Sequence, residues 1–178
     1  MPRTARGPRN VRVVVVRHGP AEDRNPVRWP DDARRPLTPK GVSQTRRAAK
    51  GLARLVPPAD RIATSAATRA LATAELVQQG LGDSTRMEQW EELAAGRLPG
   101  PIFDRLRRSV RTGQEIVLVG HEPTLAEFVG MALAGDGVPL VHLAKGGAAC
   151  LEFPASLGPG SGRLVWLLTR RQLSEVRD

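Results

Sequence analysis

VVVVRHGP, residues 13–20, sets four β-branched residues directly before an arginine, a histidine, a glycine and a proline. The segment from Val11 to Val16, apolar but for Arg12, lacks the alternation of a half-exposed strand and reads as a parallel strand covered on both faces. A core does not welcome Arg17 or His18, so the end of this strand belongs at an edge. Working outward, Thr38-Pro39 starts a helix as N-cap and first helical residue, and Pro57-Pro58 stops it. Arg61 to Thr64 reads as a short strand, and Ala66 to Gln79 as an Ala- and Leu-rich helix closed by Gly80. A second buried-strand run, EIVLV at Glu115–Val119, leads into Gly120-His121 and a helix of about Pro123 to Ala134. Two further strands, about Ala148 to Phe153 and Arg163 to Thr169, flank the Gly/Pro/Ser stretch 155–162. The alternation predicts a three-layer α/β/α sandwich with a mostly parallel central sheet. Ligands of such sheets sit outside the carboxyl ends of the strands, where Arg17-His18, Ser65 with Arg69, and His121 all fall.

With 178 residues the chain is expected to form one domain over 11–170, with residues 1–10 a disordered basic arm and 171–178 a tail. No run approaches the roughly 18–20 apolar residues of a membrane span, and the N-terminus lacks an apolar signal segment, so the protein is expected to be cytoplasmic, with no membrane partner. Cys150 is the one cysteine, which excludes an intrachain disulfide and a cysteine-based zinc site. His18, His121 and His142 show no metal-ligand spacing, and neither metal nor cofactor is expected. The formal charge of +9, with 24 arginines and three lysines, gives a field that favours anionic partners, or else reflects arginine-rich codon usage. With no tyrosine, three Phe and three Trp, aromatic platforms for nucleic acid are missing, and no nucleic-acid partner is expected.

Five segments carry a resemblance: VVVVRHGPA (13–21), RPLTPKG (35–41), TSAATRALATA (64–74), LVGHEP (118–123) and LAKGGAACLEF (143–153). In this order the chain resembles the histidine phosphatase superfamily with its RHG signature, and within it the short SixA-type phosphohistidine phosphatases. The resemblance implies a phosphoglycerate mutase-like fold. It makes His18 the nucleophile, one ring nitrogen attacking phosphorus while the other donates to a backbone carbonyl. Arg17 and Arg69 would hold the phosphoryl oxygens, and His121 would add a donor as charge develops. Gly19 would leave room for the phosphate and allow the backbone to aim the ring. Phosphate or sulfate would bind the same place.

The resemblance places a catalytic acid near Trp90-Glu91-Glu92-Leu93, with Glu92 the candidate and Glu22 or Asp23 alternatives. An acid is dispensable if the leaving group is an imidazole protonated on its other nitrogen, which departs neutral. Ser65 either caps the following helix or binds phosphate, and Arg35 either approaches substrate or forms a salt bridge nearby. Thr73, Glu75, Lys145 and His142 read as packing or surface. The expected function is a metal-independent phosphatase acting on a phosphohistidine protein; a small phosphomonoester or nucleotide-derived substrate, or a non-catalytic phosphate-binding module, are the alternatives.

Overall fold

Six strands form one sheet in the order β3-β2-β4-β1-β5-β6. The computed structural model describes residues 10–82, 84–154 and 156–177. In chain order the elements are β1 (Val11–Arg17), α1 (Pro39–Leu55), β2 (Arg61–Thr64), α2 (Thr68–Leu81), β3 (Arg86–Gln89), α3 (Gly100–Ser109), β4 (Glu115–Gly120), α4 (Thr124–Ala134), β5 (Ala148–Phe153), β6 (Arg163–Leu168) and α5 (Arg170–Glu175). Strands β1 to β4 are mutually parallel, while β5 runs antiparallel to β1 and β6 antiparallel to β5. This is the mostly parallel α/β/α sandwich expected.

The valine run works because successive side chains of a strand leave opposite faces. Val13 and Val15 join a core with α3 and α4, whereas Val14 and Val16 join one with α1, α2 and α5. All four are at most 3 % exposed, each contributing roughly 1.5–3 kcal/mol on burial. A strand so held on both faces is a rigid mount for whatever follows it.

Helix α1 begins as read, with the Thr38 side chain accepting from the Gly41 N–H and Pro39 in the first turn. The helix after β2 starts two residues later than expected, at Thr68, and runs past Gly80 to Leu81. Gly80 serves packing: a Cβ there would lie 2.8 Å from the Ala49 carbonyl of α1. The segment expected as a tail is instead largely helical. Thr169 and Gln172 close a reciprocal capping box, and Leu173 is buried in the α1/α2 core. The expected basic arm lies outside the described residues except for Asn10.

Candidate active site

Register alone brings three strand ends together. Arg17 is the partner of Gly120 and Thr64 that of Val119, so the residues following β1, β2 and β4 emerge side by side. His18 N–H donates to the Gly120 carbonyl at 3.0 Å and Ser65 N–H to the Val119 carbonyl at 3.1 Å, extending the ladder one residue past the strands. On the other flank, Gly146 N–H donates to the carbonyls of both Arg17 and His18, and its φ of +74° requires a glycine. Gly19 does not use the special backbone freedom expected of it. Its φ lies outside the left-handed region, but a Cβ would stand 2.1 Å from Thr45 Oγ1. Its N–H donates to Thr73 Oγ1, and the Thr73 hydroxyl donates in turn to the Arg69 carbonyl, tying the RHG turn to α2.

His18 is 5 % exposed, and its Nδ1 lies 2.8 Å from the Gly19 carbonyl. A carbonyl oxygen only accepts, so Nδ1 carries the proton and the lone pair is on Nε2. The His121 ring stands 5.1 Å away, centroid to centroid. His121 Nε2 lies 2.9 Å from Ser65 Oγ, while its Nδ1 is buried without a partner. The two arginines are held alike. Arg17 Nη1 donates to the Leu143 carbonyl at 2.8 Å, and Arg69 Nη1 to the Asp32 carbonyl at 2.7 Å. In both, Nε is buried and unpartnered. Arg17 is held through Nη1 and Arg69 through Nη1 and Nη2, and in each the Nε–H is left without a protein acceptor. Three nitrogens without protein acceptors, Nε of Arg17 and of Arg69 and Nδ1 of His121, thus belong to residues close enough to act electrostatically on His18, a set of donors suited to an anion.

Ser65, Arg69 and His121 line a cavity of about 590 Å³, bounded also by Asp32, Trp90 and Glu91. His18 stands beside this lining, against the His121 ring, and Arg17 is near enough to act electrostatically on both rings. Ser65 is not the N-cap of α2, a position taken by Ala67; its hydroxyl oxygen accepts from the Ala67 N–H and faces His121. Arg35 is buried away from the cavity lining, donating to the Asp32 carboxylate at 2.9 Å and the Glu22 carbonyl at 2.6 Å. Glu92 lines a separate groove with Leu98 and Pro101, and it is Glu91, ion-paired with Arg97, that reaches the cavity. Glu22 pairs with Arg28, and Asp23, His142 and Lys145 are exposed. Three contributors escaped the sequence reading. Asp32 accepts from Arg69 Nη2 at 2.9 Å; Glu122 accepts from the Leu143 N–H at 3.0 Å and so steadies the carbonyl that holds Arg17; Thr73 braces Gly19. Asp32 does have a trace, lying three residues before Arg35 in a short turn, Asp32–Arg34, which lets both side chains meet.

Burial, helped by the positive charge of Arg69 and Arg17, pushes His18 down to about 3 and His121 down to about 4. Both rings are therefore neutral at pH 7, as a nucleophile requires. Asp32 is held below the usual carboxylate range, first by the Arg35 hydrogen bond and then by Arg69, so it is ionised. In the unfolded chain both imidazoles protonate near pH 6.5, and the unfolded state then binds more protons. Stability present above that pH is lost as the pH falls towards 4 and 3. Urea unfolding is expected to show a loss of about 2 kcal/mol for each ring between pH 7 and 5. His121→Asn should remove about half of that slope; an unchanged slope would mean that the ring is not kept neutral by burial.

A family model, that of the histidine phosphatase superfamily (branch 1), matches residues 13–116. An uncharacterized protein of Picosynechococcus is 33 % identical over 146 residues, covering 81 % of this chain and 86 % of its own. Among solved structures, the protein histidine phosphatase SixA complexed with tungstate superposes with a TM-score of 0.77 at 23 % identity, covering 91 % of this chain and 99 % of that one. A phosphoserine phosphatase of Entamoeba histolytica superposes with a TM-score of 0.62 at 16 % identity, covering 92 % and 99 %. At these identities the solved structures speak for the fold, and the family model speaks for descent. With the RHG turn and the second histidine at the ends of adjacent strands and the second arginine in the first turn of α2, the chain belongs to the histidine phosphatase superfamily, branch 1.

Proposed function

We propose that the protein is a metal-independent phosphatase that removes the phosphoryl group from phosphohistidine on a protein, through a phosphohistidine intermediate on His18. In the first step Nε2 of His18 bonds to phosphorus while the substrate's P–N bond breaks, and the electron pair stays on the substrate imidazole. That ring leaves neutral if its other nitrogen carries a proton. In the second step a water oxygen bonds to phosphorus, the P–N bond to His18 breaks with its pair returning to Nε2, and the water's proton leaves with phosphate or to solvent. Donor and intermediate are both phosphoimidazoles, so the first transfer is close to balanced in energy. The rest is positioning and charge: the Nε edges of Arg17 and Arg69 and Nδ1 of His121 take the phosphoryl oxygens.

The observation that carries the choice of substrate is the state of the carboxylates bordering the cavity. Asp32 is ionised and clamped by Arg69 and Arg35, and Glu91 is engaged by Arg97. A neutral imidazole needs no acid to leave, whereas an alkoxide does. Phosphate release in EDTA from a phosphohistidine-bearing protein should exceed that from p-nitrophenyl phosphate and alkyl phosphates by about 10²-fold or more in kcat/KM. A preference for alkyl esters would overturn this substrate assignment and move attention to Glu91, the one glutamate lining the cavity.

A further inference from the structure

The phosphate cavity does not stand alone. A cavity of about 510 Å³ is lined by Arg28, Trp29, Asp31, Arg34 and Thr68, of which Asp31 and Thr68 are the chain neighbours of Asp32 and Arg69 in the lining of the phosphate cavity. That lining also shares Glu91 with the groove of about 350 Å³ that runs past Glu92, Arg97 and Leu98. The cavity lined by Arg69 and His121 thus has a neighbour at each of two places in its lining. The two neighbours differ in charge. At the first, Arg34 forms no ion pair among the described residues and the Trp29 indole N–H is buried without a partner, although Asp31 is present as the cap of the Asp32–Arg34 turn. At the second, Glu92 lines the groove together with the Glu91–Arg97 ion pair and Leu98, which is 75 % exposed. The groove therefore offers apolar surface at Leu98 next to a carboxylate at Glu92.

We infer that the three concavities together form a polypeptide-binding groove in which the segments flanking the phosphohistidine lie on either side of it, acidic residues towards Trp29 and Arg34, basic and apolar residues towards Glu92 and Leu98. The inference rests on the phosphohistidine reading above and adds to it the chemistry of the flanking sequence. A small phosphorylated compound fills the central cavity and leaves both ends unused. An extended chain uses all three: carboxylates meet Arg34, a carbonyl or carboxylate oxygen accepts from the Trp29 indole, and an apolar side chain covers Leu98.

The test compares the amino acid phosphohistidine with two peptides that carry a central phosphohistidine between three aspartates and a Lys-Leu-Lys segment, in the two opposite orders. One order should be turned over by the wild-type protein with a KM about tenfold below that of the amino acid. Arg34→Glu and Leu98→Asp, both at exposed positions, should each raise that KM by about fivefold and leave both kcat and the amino-acid kinetics unchanged. Equal KM values for both peptides and the amino acid, or variants that shift all substrates alike, would overturn the groove while the phosphohistidine activity stands. Turnover of p-nitrophenyl phosphate without turnover of any phosphohistidine probe would overturn the groove and the proposed substrate together.

Discussion

Turnover by His18→Ala is expected to fall at least about 10⁴-fold below wild type, because in the proposed mechanism the residue supplies the attacking atom and no neighbour can replace it. The neighbouring imidazole, that of His121, has its Nε2 committed to Ser65 and its ring 5.1 Å away, centroid to centroid, while His142 is exposed. The fold should survive. Truncation removes one hydrogen bond, to the Gly19 carbonyl, and leaves a small void at the mouth of the site, a cost of roughly 1–2 kcal/mol. Phosphate release in EDTA and a thermal melt on the same preparation measure both quantities. Denaturing quenches of the wild-type protein with radiolabelled substrate should trap an acid-labile, base-stable phosphoprotein that His18→Ala does not form. Residual activity within tenfold of wild type would remove His18 from the mechanism.

The second large effect is expected at Arg69. Arg69→Ala should lower kcat/KM by about 10²–10³-fold and weaken competitive inhibition by inorganic phosphate, since the proposed mechanism then loses a preorganised donor to the phosphoryl oxygens. Folding should change little, because Asp32 keeps its hydrogen bond from Arg35 and is 44 % exposed. Arg69→Lys should recover less than about a tenth of the loss. The native guanidinium is gripped by Asp32 through Nη1 and Nη2 while Nε remains for substrate, and an ammonium has only one end to give. Recovery to near wild type by lysine would mean that charge alone matters at this position.

The parts legible in the sequence were those written in side-chain pattern. Val13 to Val16 and Glu115 to Val119 announced doubly covered strands, and a parallel sheet then dictated that Arg17, His18, Arg69 and His121 share an edge. What escaped was written in backbone geometry and in weak patterns. Arg86–Gln89 is a strand of four residues with no apolar periodicity, formed because β2 offers it a parallel edge. In Gly100–Ser109 the apolar face is just Ile102, Phe103 and Leu106, diluted by arginines. The shift of the acid candidate from Glu92 to Glu91 is the choice between adjacent residues in a short turn, Glu91–Leu93, where Leu93 is drawn into the core and sets the direction of the other two. Asp32 and Thr73 act on Arg69 and Gly19 across 37 and 54 residues of chain, a distance over which a motif carries no information.

The reversal of β5 divides the C-terminal third of the chain into two loops with different freedom to change. Because β5 runs against β1, the chain enters it from the phosphate edge, through Gly146 and Gly147, and leaves it at the far side of the sheet. Residues added between Gly135 and Ala144 would therefore accumulate beside the site as a roof, and residues added between Phe153 and Arg163 would emerge near the end of α4, where Gly162 meets Ala132, remote from any substrate. The first loop is the place where such a scaffold acquires selectivity by insertion; the second is where a tag or a fused domain can be carried without cost to catalysis.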